Sequence, residues 1–139
     1  MRFASMICAV AACTCVASIA ASDEHPEAAA TSAALAWLAL VDAGNYADSW
    51  NASATRVRNA VAQEQWQLRA ARARGPLGAL QSRQLVSATF KHNLPGAPEG
   101  EYVVILFSAS FANKAAAIET VTPMKDNDGT WRVAGYYVK

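Results

Sequence analysis

The stretch Glu101-Tyr102-Val103-Val104-Ile105-Leu106-Phe107-Ser108-Ala109-Ser110-Phe111-Ala112 decides the fold. Val103, Ile105, Phe107, Ala109 and Phe111 recur at every second position, so they share one face of a strand, and a face that apolar must be covered. Turn clusters lie before it at Pro95-Gly96-Ala97-Pro98-Glu99-Gly100 and beyond it at Asp126-Asn127-Asp128-Gly129. Around these turns Val, Thr, Phe and Tyr alternate with polar residues, which predicts strands near residues 81–93, 101–112, 115–125 and 130–138. The connections are short, so neighbouring strands run antiparallel. Pro123 in the third strand points to a bulge or a free edge, because it has no N–H for a ladder.

The cover is written upstream, in a different period. Pro26 can open a helix at its first turn, and Ala34, Trp37, Leu38 and Val41 follow at the spacing of one buried helical face. Asp42-Ala43-Gly44-Asn45 ends it, Gly44 being free to take the left-handed conformation. Tyr46 and Trp50 lie one turn apart on a second, short helix. Thr55 is the expected cap of a third running to about Ala62, and Gln63 to Arg74 forms a fourth with Trp66, Ala70 and Ala73 on one side, stopped by Gly75-Pro76. Helices first and a meander second predict an α+β fold, with the N-terminal helices packed on a curved four-stranded antiparallel sheet.

At 139 residues the chain has room for one ordinary domain, and 53% apolar residues exclude a disordered one. Arg2 followed by the uncharged run from Phe3 to Ala21, then Asp23-Glu24, has the layout of a secretory signal peptide. Small residues in Ser18-Ile19-Ala20 place cleavage after Ala20, with Ser22 the second choice, leaving residues 21–139 as a single domain behind a short acidic lead. The run is rich in Ala, Ser, Cys and Thr, so the expectation is a periplasmic or secreted protein without a stable membrane span after cleavage. Cys8, Cys13 and Cys15 all leave with the signal, so no disulfide or thiol chemistry is expected. Val10-Ala11-Ala12-Cys13 offers the lesser alternative of a lipoprotein anchored at Cys13.

The formal net charge of +1 argues against a nucleic-acid partner. The charge is unevenly spread, however. From residue 21 to 53 every charge is acidic, whereas Arg56, Arg58, Arg69, Arg72, Arg74 and Arg83 face only Glu64 in the next stretch. That arginine block could recognise an anionic ligand or a membrane surface; its ordinary explanation is a solvated helix face opposite the acidic first helix.

Several separated motifs carry a resemblance. Ala36-Trp37-Leu38-Ala39-Leu40-Val41-Asp42-Ala43-Gly44-Asn45-Tyr46, Gln65-Trp66, Arg74-Gly75-Pro76-Leu77-Gly78, Gly100-Glu101-Tyr102-Val103-Val104, Glu119-Thr120-Val121-Thr122 and Trp131-Arg132-Val133-Ala134-Gly135-Tyr136-Tyr137 together resemble the bacterial domain-of-unknown-function family 4019. Such families look like members of the cystatin-like and nuclear-transport-factor-2-like superfamily, whose curved sheet and helices form a cone open at one end. The resemblance implies that fold and an exported bacterial protein, and brings no activity with it. Ala62 departs from the pattern, since a Ser or Thr cap is expected before Gln63.

Chemistry is sparse. Beyond the signal there is no Cys, and His25 and His92 fall in the polar lead and at a strand end. No His or Cys cluster has zinc spacing and no Gly-rich loop precedes a helix, so no metal and no cofactor is expected. Asp126-Asn127-Asp128-Gly129 lacks the later Glu of a calcium loop and reads as a hairpin turn, while Asn51-Ala52-Ser53 matches a short glycosylation sequon. Inside a cone, proton transfer would need a pocket carboxylate with a Tyr donor, and Glu119, Asp42 and Tyr136 are the residues of choice. Glu119 shares a strand face with Ala117 and Val121; a wet outer face is its expected place, and Asp42 is expected to make a local turn hydrogen bond.

Trp37, Tyr46, Trp50, Trp66 and Trp131 could line a small-molecule pocket with Arg83 gripping an anionic group, or could simply be core. The sequence thus points first to a non-enzymatic module that binds a small ligand or an envelope protein. A pocket-carboxylate isomerase or dehydratase-like enzyme, and a homodimer paired through an exposed sheet face, are the alternatives.

Overall fold

The computed structural model describes residues 25–139. The signal-peptide reading, with Cys8, Cys13 and Cys15, lies outside the described residues. Pro26 is the first residue of helix α1 (Pro26–Asp42), where its missing N–H is one that an opening turn leaves unbonded anyway. Gly44, at φ 75°, ends it, and the amides of Gly44 and Asn45 turn back to Val41 O and Leu40 O. Helices α2 (Tyr46–Asn51), α3 (Thr55–Ala60) and α4 (Gln63–Arg74) follow, and α4 runs into a 3-10 turn at Gly75–Leu77. Gly78 then turns the chain at φ 74°, and a Cβ there would meet Ala112 Cβ at 3.0 Å, so conformation and space both require glycine.

Strands β1 (Leu80–His92), β2 (Glu101–Phe111), β3 (Lys114–Lys125) and β4 (Trp131–Val138) form one antiparallel sheet in chain order. The α+β reading and the meander therefore hold, with strand ends within a residue of expectation. Pro123 sits at a register shift where β3 pairs with β4; β3 has neighbours on both sides, so Pro123 marks a bulge and not an edge.

One face of this sheet carries the core. Val103, Ile105 and Phe107 of β2, Val121 of β3 and Val133 of β4 pack against Ala30, Ala34, Trp37, Leu38 and Val41 of α1. Two alanines on the buried stripe of α1 let its backbone approach the strands closely. A smaller cluster of Ala109, Phe111 and Ala117 continues the same face towards Leu77, Leu80 and Val138. The other face pairs Ser108 with Ile118 and Thr120 with Tyr137, and both Ile118 and Tyr137 are exposed.

The start of α3 corrects one expectation. Thr55 is the first helical residue and not its cap; Ala54 occupies the cap position without a side-chain hydrogen bond. Asp126, from the turn after β3, accepts instead from the Thr55 amide at 3.1 Å and from its hydroxyl at 3.0 Å. The reading failed because the capping carboxylate comes from another part of the chain, 71 residues away. Asp126→Ala is expected to cost about 1–2 kcal/mol, the value of a lost N-terminal cap, with faster hydrogen exchange at the Thr55 amide.

Candidate functional site

Five polar side chains meet under α1 at one end of the core. Asp42 is the last residue of α1 and Arg74 the last of α4; Arg83 comes from β1, Glu119 from β3 and Tyr136 from β4. Arg83 grips two carboxylates at once. Its Nε and Nη2 donate to Glu119 Oε1 and Oε2 at 2.6 and 3.1 Å, and its Nη1 and Nη2 donate to Asp42 Oδ2 and Oδ1 at 2.7 and 3.0 Å. Arg74 Nη2 donates to Asp42 Oδ1 at 2.8 Å, and the Tyr136 hydroxyl donates a short hydrogen bond to Glu119 Oε2.

The positions explain the partners. A carboxylate at a helix C-terminus, where Asp42 lies, is disfavoured by the helix dipole, and two guanidinium groups offset this. Arg74 at the end of α4 has the charge that terminus favours. Its guanidinium also rests on the Phe111 ring, 4.3 Å from the centroid.

Three expectations are corrected here. Glu119 is fully buried, 0% exposed, and not on a wet outer face; paired guanidinium and phenol donors make that burial tolerable. Asp42 makes ion pairs across the fold in place of a local turn bond. Arg74 and Arg83 leave the solvated face assigned to the arginine block and become interior ion-pair partners. Arg83, chosen as the anchor for a ligand anion, already has both of its forks occupied.

Beside this network lies a cavity of about 220 Å³ between α1, α4 and β4. Trp37, Val41, Trp66, Ala70, Ala73 and Tyr136 line it, with Arg69 and Arg74. The rings of Trp37 and Trp66 meet edge-on at 6.2 Å, and those of Trp37 and Tyr136 at 5.3 Å. Buried serines hold the indoles in place: Trp37 Nε1 donates to Ser49 O and Ser53 Oγ, and Trp66 Nε1 donates to Ser49 Oγ. With their N–H groups satisfied elsewhere, both indoles present apolar surface to the cavity.

Of the residues expected to line a pocket, Trp37 and Trp66 do so. Tyr46 borders a separate surface recess with Glu64, Gln67 and Leu68. Trp50 turns its Nε1 to Val61 O at 2.7 Å, and Trp131 lies at the start of β4 beside Lys125. Glu119, Asp42 and Tyr136, nominated for proton transfer, belong to one network, yet the oxygens of Glu119 are engaged by Arg83 and Tyr136. Sequence reasoning missed Arg74 as a wall of the cavity. The signal available for it was its place on the Trp66, Ala70, Ala73 face of α4.

The Asp126–Gly129 segment is a hairpin turn, its carboxylates taken by protein donors. Arg132 pairs with Asp126 and with Asp128, and its hydrogen bond, ahead of that from the Thr130 amide, holds the Asp128 carboxyl well below the usual range. Among the described residues no group of three or more His, Cys, Asp or Glu could hold a metal ion, and no helix is long and apolar enough to cross a membrane.

A family model described as "Protein of unknown function (DUF4019)" matches residues 33–136. The chain belongs to the DUF4019 family. No curated protein and no solved structure matches it. The DUF4019 match spans all five residues of the ion network and every residue lining the cavity.

The buried phenol gives this DUF4019 domain a pH signature. Burial first, and then the hydrogen bond to Glu119, push the Tyr136 pKa far above its ordinary value. A folded-state pKa raised above the unfolded one contributes stability that is complete below about pH 10 and declines as the unfolded chain's phenol loses its proton above it. Urea unfolding is therefore expected to show stability falling progressively as pH rises past about 10, with a shallower fall in Tyr136→Phe.

Proposed function

We propose that this DUF4019 protein is an exported bacterial domain that binds a small ligand without transforming it, in the cavity between α4 and β4. One observation carries the reading. Arg74 lines, with Arg69, a cavity whose other walls are apolar and aromatic, and its Nε and Nη1 are buried without a hydrogen-bond partner. A buried donor left unpaired costs about 1–3 kcal/mol, so it favours an occupant that supplies an acceptor. Convergent polar groups in a concave apolar wall are the usual make-up of a ligand site.

Export is supported by the Arg2, apolar run and Ser18-Ile19-Ala20 layout of the first residues, which would deliver the domain to the periplasm or outside the cell. A helical layer on one face of a four-stranded antiparallel meander supports kinship with the cystatin-like and nuclear-transport-factor-2-like folds. A non-catalytic role is favoured because a substrate seeking Glu119 as a base would first have to break its pairing with Arg83 and Tyr136.

Native mass spectrometry of the mature protein purified from its own envelope tests the proposal. The expected result is a reproducible small adduct, lost on denaturation and absent from Ala70→Leu, which fills the cavity. A clean apo mass for the unaltered protein would overturn ligand binding, and turnover of isomerase or dehydratase substrates that disappears in Glu119→Gln would overturn the non-catalytic role.

A further inference from the structure

We infer that the ligand is a compact ring-bearing carboxylate, its ring held by Trp37 and Trp66 and its acid group by Arg74. The inference rests on the cavity being a ligand site, as proposed above. Size sets the ring. A cavity of about 150 Å³ accepts a benzene molecule. The present one, about 220 Å³, leaves room for a six-membered ring and a short acidic side chain. Edge-on indoles around apolar Val41 and Ala70 suit a flat hydrocarbon body.

Charge sets the head group. No Asp or Glu lines the cavity, whereas Arg69 and Arg74 do. The adjoining recess, which shares Ala73 and Tyr136 with it, adds Lys114. The two guanidinium groups of the network differ in what they can still offer. Arg83 spends Nε, Nη1 and Nη2 on Asp42 and Glu119, while Arg74 donates from Nη2 alone and keeps Nε and Nη1 free. Asp42 keeps both bonds to Arg83 if Arg74 turns towards a ligand, so capture of an anion would leave no carboxylate unpaired. Arg74 is thus a donor with spare capacity, resting on the Phe111 ring and reaching a ligand by turning its buried nitrogens towards the cavity.

The test is calorimetric titration of the mature protein with phenylacetate and with its neutral isostere phenylacetamide, read in parallel by quenching of tryptophan fluorescence. Phenylacetate is expected to bind at least about tenfold more tightly than the amide, a difference of about 1.4 kcal/mol. Arg74→Gln should remove that preference, since Asp42 stays paired with Arg83 and the fold survives. Ala70→Leu should remove binding of both compounds and gives a second, folded control. Equal affinity for acid and amide would overturn the carboxylate assignment and leave the cavity reading intact. Binding of neither up to millimolar concentration, with an adduct still present in native spectra, would overturn the ring-bearing class. Binding of neither together with a clean apo mass would overturn both.

Discussion

Arg83→Met is expected to lower the unfolding free energy by about 3–5 kcal/mol, because it removes one partner of a buried ion pair and strands the other. Glu119 would keep only the Tyr136 hydroxyl against a full charge at 0% exposure. Domains of this size are stable by about 5–15 kcal/mol, so the variant should sit near the edge of folding. Urea titration reads the effect as a lowered midpoint with little change in slope. Replacing both partners separates the charge from the packing. Arg83→Met with Glu119→Leu leaves no stranded carboxylate on β3, and Asp42 retains Arg74. The double variant is therefore expected to be more stable than Arg83→Met alone.

Trp37→Ala is the second large effect, at about 3–5 kcal/mol, the usual cost of emptying a large aromatic site in a core. Trp37 is 2% exposed, packs in the cluster shared by α1 and the sheet, and donates to Ser49 O and Ser53 Oγ. Trp37→Phe separates the two contributions. It keeps most of the ring and loses the donor; Ser49 O still accepts from Ser53 Oγ, so about 0.5–1.5 kcal/mol is expected for the lost hydrogen bonding. Guanidinium unfolding of the two variants checks the ordering, with the alanine variant the less stable.

The fold was legible where a single period governs a segment. Val103 to Phe111 alternate without interruption, and Ala34 to Val41 keep helical spacing, because each segment buries one face against one partner layer. The site was legible only by residue type. Glu119 looked like a surface acid because nothing in its own strand announces Arg83, which is 36 residues away in sequence. Asp42 read as a turn residue for the same reason, and Arg83 seemed free because its two acceptors lie on α1 and β3. Spacing reports a residue's neighbours along one element, whereas this network joins the ends of two helices to three strands. Trp37 and Trp66 were recoverable because a ring at helical spacing faces the core whether it fills the core or borders a cavity in it.

The bond from Asp126 to the start of α3 also bears on the order in which the chain acquires its structure. A six-residue helix is far too short to persist alone, and α3 has no cap of its own. Its closing acceptor arrives only when the last hairpin has formed, 71 residues downstream. The three hairpins of the sheet join neighbours in sequence, so their loops close at little entropic cost. Synthesis runs from helices to strands; consolidation should run the other way, with the meander as template and the α2–α3 segment among the last parts to lock.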